Sequence, residues 1–258
     1  STLFPYTTLF RSRSDDSKVY GEDDPAEFTA TVAGNLNNDV ITYTVSREAG
    51  ENVGHYAVIP TGAASQGNYS VSYVNGDFEI TKATTTLDVT GYNGTYDAES
   101  HGLTVVPAVT EGTTITYSID GETWTEEAPS ITNVGSQTYK VKASNANYED
   151  VVKDGTLTVS AREIELTANN ASDTYNGAKI SYANAKDAVA TYYTISKGEL
   201  AEGQSITAIT LTGSGTDVKV GGYPITITDG SVAIGENTAN YTIKLVPGTL
   251  TITARPIT

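Results

Sequence analysis

The chain has few side chains that could do chemistry. Its imidazoles are His55 and His101, each beside a glycine (Gly54, Gly102) in a stretch that reads as a turn or strand end. An imidazole acts as a general base only with a nucleophile and an orienting acid in reach. No nucleophile elbow, His-Glu-x-x-His pair, glycine-rich phosphate loop or EF-hand spacing accompanies either one. Both therefore read as solvated surface histidines. The chain has no cysteine, which removes thiolate nucleophiles, thiolate metal sites and disulfide frameworks. No catalytic residue is expected, and an enzyme would need a deep pocket with two facing carboxylates.

Two further groups could bind rather than react. Carboxylates cluster at Asp15-Asp16, Glu22-Asp23-Asp24 and Glu126-Glu127. Oxygen-rich loops can hold calcium, the one metal these loops leave open, but the irregular ligand spacing favours solvated acidic loops and no cofactor. Trp124 is the single tryptophan, and Tyr117 and Tyr139 lie in neighbouring strand-like stretches. Their faces could stack on sugar rings, which makes the three the candidate ligand-binding residues. The competing reading is aromatic packing across a sheet. Asn68, Asn93, Asn170 and Asn240 each open an Asn-x-Ser/Thr triplet. They would be glycan acceptors only on a eukaryotic secretory route; otherwise they read as turn residues.

The formal net charge of −16 and the lack of a basic cluster argue against nucleic acid and anionic lipid as partners. No run of about 18 apolar residues is present, so no membrane insertion is expected.

The elements that would position these side chains are strands. One segment occurs in three copies: Asn68-Tyr69 to Ala83, Asn147-Tyr148 to Ala161, and Asn240-Tyr241 to Ala254. Apolar and polar residues alternate along it, the period of a strand with one buried face. Asn75-Gly76 suits a tight two-residue turn. The segment therefore reads as a hairpin that closes each unit, with Tyr73 facing Phe78, Val71 facing Ile80, Leu245 meeting Leu250 and Ile243 meeting Ile252. Pro247-Gly248 fits such a turn less well. Asp150 stands where the first copy has Val71, so a bulge is expected there.

The repeat sets the boundaries: 1–14 a foreign or disordered leader, 15–83, 84–161 and 162–254 three modules, and 255–258 the start of another. Residues 1–14 lack alternation and resemble translated adapter sequence. The first module lacks an apolar counterpart of Thr86–Thr90 and Glu163–Thr167, so its first strand is expected to be missing. The middle module adds a hairpin, Ile115–Ile119, Asp120-Gly121, Glu122–Thr125. The only helix candidate is a weak stretch at 183–190. The fold class is all-β, a tandem of small antiparallel β-sandwich modules, immunoglobulin-like or β-grasp-like, with roughly seven strands each. Junctions of about two residues imply an elongated, semi-stiff rod.

Lys18-Val19-Tyr20-Gly21, Ser46-Arg47-Glu48-Ala49-Gly50-Glu51-Asn52-Val53-Gly54 and the Asn-Tyr…Gly-x-Leu-x-Ile-Thr ending resemble the MBG family of bacterial surface repeats. The first module resembles its YGX type, and the other two look like diverged relatives. The resemblance implies a secreted or cell-surface, adhesin-like protein with no catalytic residues to carry over. The expected function is a structural spacer whose partners are neighbouring repeats of the same chain. The alternative is a module that binds an extracellular glycan or host protein, through the middle repeat.

Overall fold

The computed structural model describes residues 6–12, 16–37, 39–183 and 191–257. The helix candidate falls almost wholly outside them. The described residues are strands, turns and loops, with a 3-10 turn at Thr238–Asn240. The first strands are β1 (Tyr6–Ser12), β2 (Asp16–Val19), β3 (Ala30–Ala33), β4 (Thr44–Arg47), β5 (Gly54–Thr61), β6 (Ser65–Gln66), β7 (Tyr69–Val74) and β8 (Gly76–Thr81). Next come β9 (Leu87–Thr90), β10 (Tyr92–Thr95), β11 (His101–Gly102), β12 (Thr104–Pro107), β13 (Thr114–Ser118), β14 (Ser130–Ile131), β15 (Gly135–Ser144) and β16 (Val151–Ser160). The last are β17 (Arg162–Ala168), β18 (Ala171–Thr174), β19 (Ile180–Ala183), β20 (Tyr193–Lys197), β21 (Leu211–Gly215), β22 (Tyr223–Ile227), β23 (Tyr241–Val246) and β24 (Gly248–Thr253).

The chain divides into two compact units. One comprises Ser1–Asp88, Val105–Glu126 and Lys140–Lys153; the other comprises Val89–Thr104, Glu127–Tyr139 and Asp154–Thr258. In the first unit, β3-β1-β7-β6 form one sheet and β2-β8-β5-β4 another. β13 pairs antiparallel with β15, from Thr114↔Ser144 to Ser118↔Lys140. In the second unit, β20-β17-β23 and β18-β24-β22-β21-β19 repeat the two-sheet plan. β10 lies parallel to β16 there, with Tyr92 opposite Leu157.

Two expectations fail. The closing segment is not a hairpin: β7 and β8 belong to different sheets, as do β23 and β24. Each segment is a strand that leaves one sheet at Asn75 or Pro247 and continues in the other. Alternation survives the crossing, so Tyr69 and Val71 are buried in one layer and Phe78 and Ile80 in the other. Of the residues read as core, Val71, Phe78, Ile80, Leu250 and Ile252 are buried and Tyr73, Ile243 and Leu245 half-buried, but they do not face each other across a turn. In the middle copy the segment is a single ten-residue strand, β16, within one sheet, and it begins only after Asp150.

The opening strand of the first repeat is also present. β1 runs parallel to β7, from Tyr6↔Tyr69 to Arg11↔Val74, as β17 runs parallel to β23. β2 then pairs parallel with β8. Backbone ladders need extended residues, not strict alternation, and Tyr6, Thr7, Thr8 and Phe10 all favour that conformation. Residues 6–12, set aside as leader, therefore form a strand. Most strand pairs are antiparallel, and in the first and third repeats the opening strand lies parallel to the closing one.

The recurrent glycine has a different reason from the one its turn propensity suggested. Gly76, Gly155 and Gly248 do not have positive φ. A β-carbon on Gly248 would lie 2.3 Å from the Ala168 carbonyl oxygen, and one on Gly155 would lie 2.6 Å from Val89 Cγ1. At Gly155 and Gly248 the backbone passes too close to its neighbours for a side chain. Gly248→Ala is expected to cost about 1–3 kcal/mol, the usual range for overpacking. Gly248→Asn, which a left-handed turn would accept, should cost at least as much. Urea denaturation of the two variants checks both.

Candidate functional site

Backbone register shows which residues correspond between the repeats. The Tyr20, Tyr96 and Tyr175 amides donate to the carbonyls of Thr81, Ser160 and Thr253, each at 2.9 Å. Tyr56 pairs with Phe78, and Tyr223 with Leu250. Cross-strand hydroxyl pairs Ser136–Thr158 and Thr138–Thr156, both 2.8 Å, place Gln137 opposite Leu157. Counting back from these positions, Asn52-Val53, Asn133-Val134 and Lys219-Val220 occupy one place in three copies.

In the first unit that place is filled by Asn147, the residue that precedes the closing segment of the next repeat. Its Oδ1 accepts the Val53 N–H at 2.9 Å, and its Nδ2 donates to Asn52 Oδ1 at 3.0 Å. Beside it, Tyr20 meets Tyr148 edge to face at 5.4 Å. Ala83 N–H donates to Asn147 O at 3.1 Å and Glu149 N–H to Ala83 O at 2.9 Å, fixing the link between the repeats.

In the second unit the arrangement recurs. Asn240 Oδ1 accepts the Val134 N–H at 2.8 Å, and its Nδ2 donates to Asn133 Oδ1 at 2.9 Å. Tyr96 meets Tyr241 edge to face at 5.6 Å. Asn240, Tyr96 and Tyr241 are all buried. The phenols are satisfied as well. Gln204 donates to the Tyr96 hydroxyl at 2.7 Å and accepts from the Tyr241 hydroxyl at 2.6 Å, and Ala201 N–H donates to the Tyr241 oxygen at 2.9 Å. An amide side chain that both accepts from a backbone N–H and donates to a second amide leaves little of the contact unpaired.

The motif residues of the first repeat form a second constellation. Lys18 and Arg47 are buried basic side chains, 4% and 7% exposed. Lys18 Nζ pairs with Asp24 at 2.8 Å and with Glu51. Arg47 reaches Asp24 Oδ2 at 2.8 Å and Glu51 Oε1 at 2.7 Å, and donates to the Gly50 carbonyl at 2.7 Å. Its guanidinium lies 5.1 Å from the Tyr56 ring centroid and 5.5 Å from that of Phe78. Hydrogen bonds from Lys18 and then Arg47 hold the Glu51 carboxyl below its ordinary range. Lys18 also lowers Asp24, against the effect of burial and with help from Arg47. Asp24, then Glu51, raises Lys18. The Ser46–Gly54 motif is thus structural: Gly50 is required because a β-carbon there would meet the Tyr56 ring at 2.1 Å.

The side chains singled out for chemistry have structural neighbours of their own. Trp124 is half-buried, with the Lys142 ammonium 4.3 Å from its ring centroid. Tyr117 pairs with Thr125 beside it, through N–H to carbonyl bonds of 2.7 and 3.0 Å. Tyr139 belongs to the other unit. The hairpin expected around Asp120-Gly121 does not form: residues 119–123 are a bend, Tyr117 and Thr125 make an isolated bridge, and β13 pairs with β15 instead. Asp120 accepts the Thr123 and Glu122 amides and the Ser118 hydroxyl, which hold its carboxyl at about 2. His55 is exposed and paired with Asp77 at 2.7 Å, which raises its pKa above 6.5. His101 stacks on Tyr92 at 3.7 Å and bonds Asp97 at 3.0 Å. Among the described residues no three His, Cys, Asp or Glu side chains converge on a metal-sized site. Of the acidic loops, Asp24 is held by Lys18 and Arg47, and Glu22 accepts the Val19 N–H at 3.0 Å. No described helix is long and apolar enough to cross a membrane.

Residues 12–79 match the family model of the MBG domain, YGX type. No curated protein matches the chain. Among solved structures, the titin domains I67–I69 are 12% identical, covering 95% of this chain and 99% of that one with a TM-score of 0.30. Drosophila N-cadherin EC1-4 is 9% identical, covering 96% and 75% with a TM-score of 0.27. A Ca2+-stabilized adhesin of an Antarctic bacterium is 14% identical, covering 99% and 76% with a TM-score of 0.27.

The ion cluster sets a pH dependence. Asp24 and Glu51 are lowered, so the stability they contribute is present above the ordinary carboxylate value of about 4 and lost as pH falls through their folded values. Lys18 is raised, so its share is present below about 10.4 and lost as pH rises through its folded value. Asp24→Asn should lower the melting temperature at neutral pH. The difference should fade as pH falls through the folded value of Asp24, where the wild-type carboxyl becomes protonated too. Melting curves against pH test this.

Proposed function

We propose that residues 15–83, 84–161 and 162–254 are three structural repeats of a secreted or cell-surface, adhesin-like bacterial protein, and that their work is spacing rather than catalysis. The observation that carries this reading is the docking contact made twice with the same atoms. Asn147 serves Asn52 and Val53, and Asn240 serves Asn133 and Val134, each beside an edge-to-face tyrosine pair. A repeat that carries its neighbour's hydrogen-bond partner at a fixed position restricts rotation about a link of about two residues, which a flexible linker would leave free. The MBG match at 12–79 supports the surface assignment. Binding of an extracellular glycan or host protein through Trp124, Tyr117 and Tyr139 is the other reading. Half-exposure of Trp124 favours it, and the Lys142 ammonium near the Trp124 ring weighs against it.

Calorimetry tests the spacer reading. Losing the Asn240 amide leaves the Val134 N–H without its acceptor, an expected cost of about 1–3 kcal/mol. Asn147→Ala and Asn240→Ala should each lower the melting temperature, and the double variant should resolve a transition that merges with the others in the parent chain. A double variant that melts like the parent would show that the repeats do not lean on one another. A glycan-array signal abolished by Trp124→Ala would favour the binding reading.

A further inference from the structure

In the first and third repeats the opening and closing segments run side by side on both sheets. In the third, β17 lies parallel to β23 over six residue pairs, from Arg162↔Tyr241 to Thr167↔Val246. Both segments then pass to the other sheet, where β18 lies parallel to β24 over four pairs, from Ala171↔Leu250 to Thr174↔Thr253. The first repeat has the same arrangement, six pairs between β1 and β7 and four between β2 and β8. In the middle repeat β10 lies parallel to β16 over four pairs.

Side chains fasten these ladders. Lys244 reaches Glu165, its register partner in the first patch of the third repeat, at 2.7 Å. At the crossing, Asn170 Oδ1 accepts the Thr249 N–H at 2.8 Å. In the second patch Thr253 Oγ1 donates to the Asp173 carbonyl at 3.2 Å, and the Tyr175 N–H extends the ladder to the Thr253 carbonyl at 2.9 Å. In the first repeat Thr81 Oγ1 donates to the Lys18 carbonyl at 3.2 Å, and the Tyr20 N–H to the Thr81 carbonyl at 2.9 Å.

We infer that the first and third repeats are tension clamps, in which the parallel ladders between opening and closing segments take a pull along the chain in shear. The inference rests on the spacer reading for the source of the pull, while the clamp itself lies within each repeat. A pull along the chain draws the opening strand toward its N-terminal end and the closing strand toward its C-terminal end. For parallel neighbours these are opposite forces along one axis. The evenly spaced ladder bonds share them and must give together. Pulled across the strands at one register position, the same bonds are loaded one after another. Resistance to force follows the unfolding barrier rather than the equilibrium stability, so the direction of pull is the variable that exposes a clamp.

The absence of native cysteine allows thiol handles at chosen positions of the full chain. Glu163→Cys with Ala254→Cys loads the third repeat in shear. Glu163→Cys with Thr242→Cys, opposite each other in the register, loads the same ladder across the strands. All three positions are exposed. Ser172→Cys with Arg255→Cys, and Ser172→Cys with Thr251→Cys, make the same comparison on the second patch with other substitutions at exposed positions. Handles are coupled under reducing conditions, and the variants compared are those whose melting temperature matches the parent. Single-molecule force spectroscopy should read an unfolding force several-fold higher in shear than across the strands. Equal forces in the two directions overturn the inference. They leave the spacer reading standing, because calorimetry of the Asn147 and Asn240 variants decides that reading separately.

Discussion

A backbone N–H withdrawn from water needs an acceptor. At Val53 and Val134 that acceptor comes from the following repeat, as the side-chain oxygen of Asn147 or Asn240. The rest of the architecture can be read from this constraint. The asparagine must sit at a fixed height, so it immediately precedes the strand that organises its own sandwich. Its neighbour must be a tyrosine, because one ring then packs against the preceding repeat while its hydroxyl satisfies a loop amide inside its own, as Tyr241 does for Ala201.

The closing strand links docking to folding. Its beginning makes the contact with the preceding repeat. Its end supplies the deepest core residues, Phe78 and Ile80 in one copy, Leu157 in the next, Leu250 and Ile252 in the last. In the first and last copies the segment passes from one sheet to the other and so joins both layers of the sandwich. A disturbance at the asparagine corner therefore acts on the same strand that carries the core. The Lys18–Asp24–Arg47–Glu51 cluster braces the first repeat in another way, by neutralising buried basic groups with carboxylates that also order the loops around Gly21 and Gly50.

Strand periodicity made the all-β class, the repeat and the inward residues legible, since burial alternates with period two along β7, β8 and β24. A change of direction at Asp120-Gly121 was legible because the aspartate chemistry is local, but its carboxylate takes the amides two and three residues on, and the second strand of the expected hairpin does not form. Partnership between strands was not. Asn75-Gly76 can form a tight turn, but ability is not requirement, and ladders to β1, β2 and β5 take both halves of the segment apart. The poor fit of Pro247-Gly248 to a hairpin turn was the warning sign. The asparagine contact was visible only as a coincidence, an Asn-Tyr pair recurring at one end of the repeat and Asn-Val-Gly at two places in the other half. Read as turn residues, these asparagines offered no reason to be joined across repeats. The aromatic set Trp124, Tyr117 and Tyr139 was chosen by type alone, and residue type does not determine which faces are already occupied.

Amide hydrogen exchange at Val53 and Val134 addresses the asparagine contact most directly, because each of these N–H groups has its acceptor in another repeat. Both should exchange slowly in the intact chain, and Asn147→Ala should release Val53 while leaving Val134 protected. Exchange at the rate of open loop amides for both residues in the unaltered chain would contradict the account.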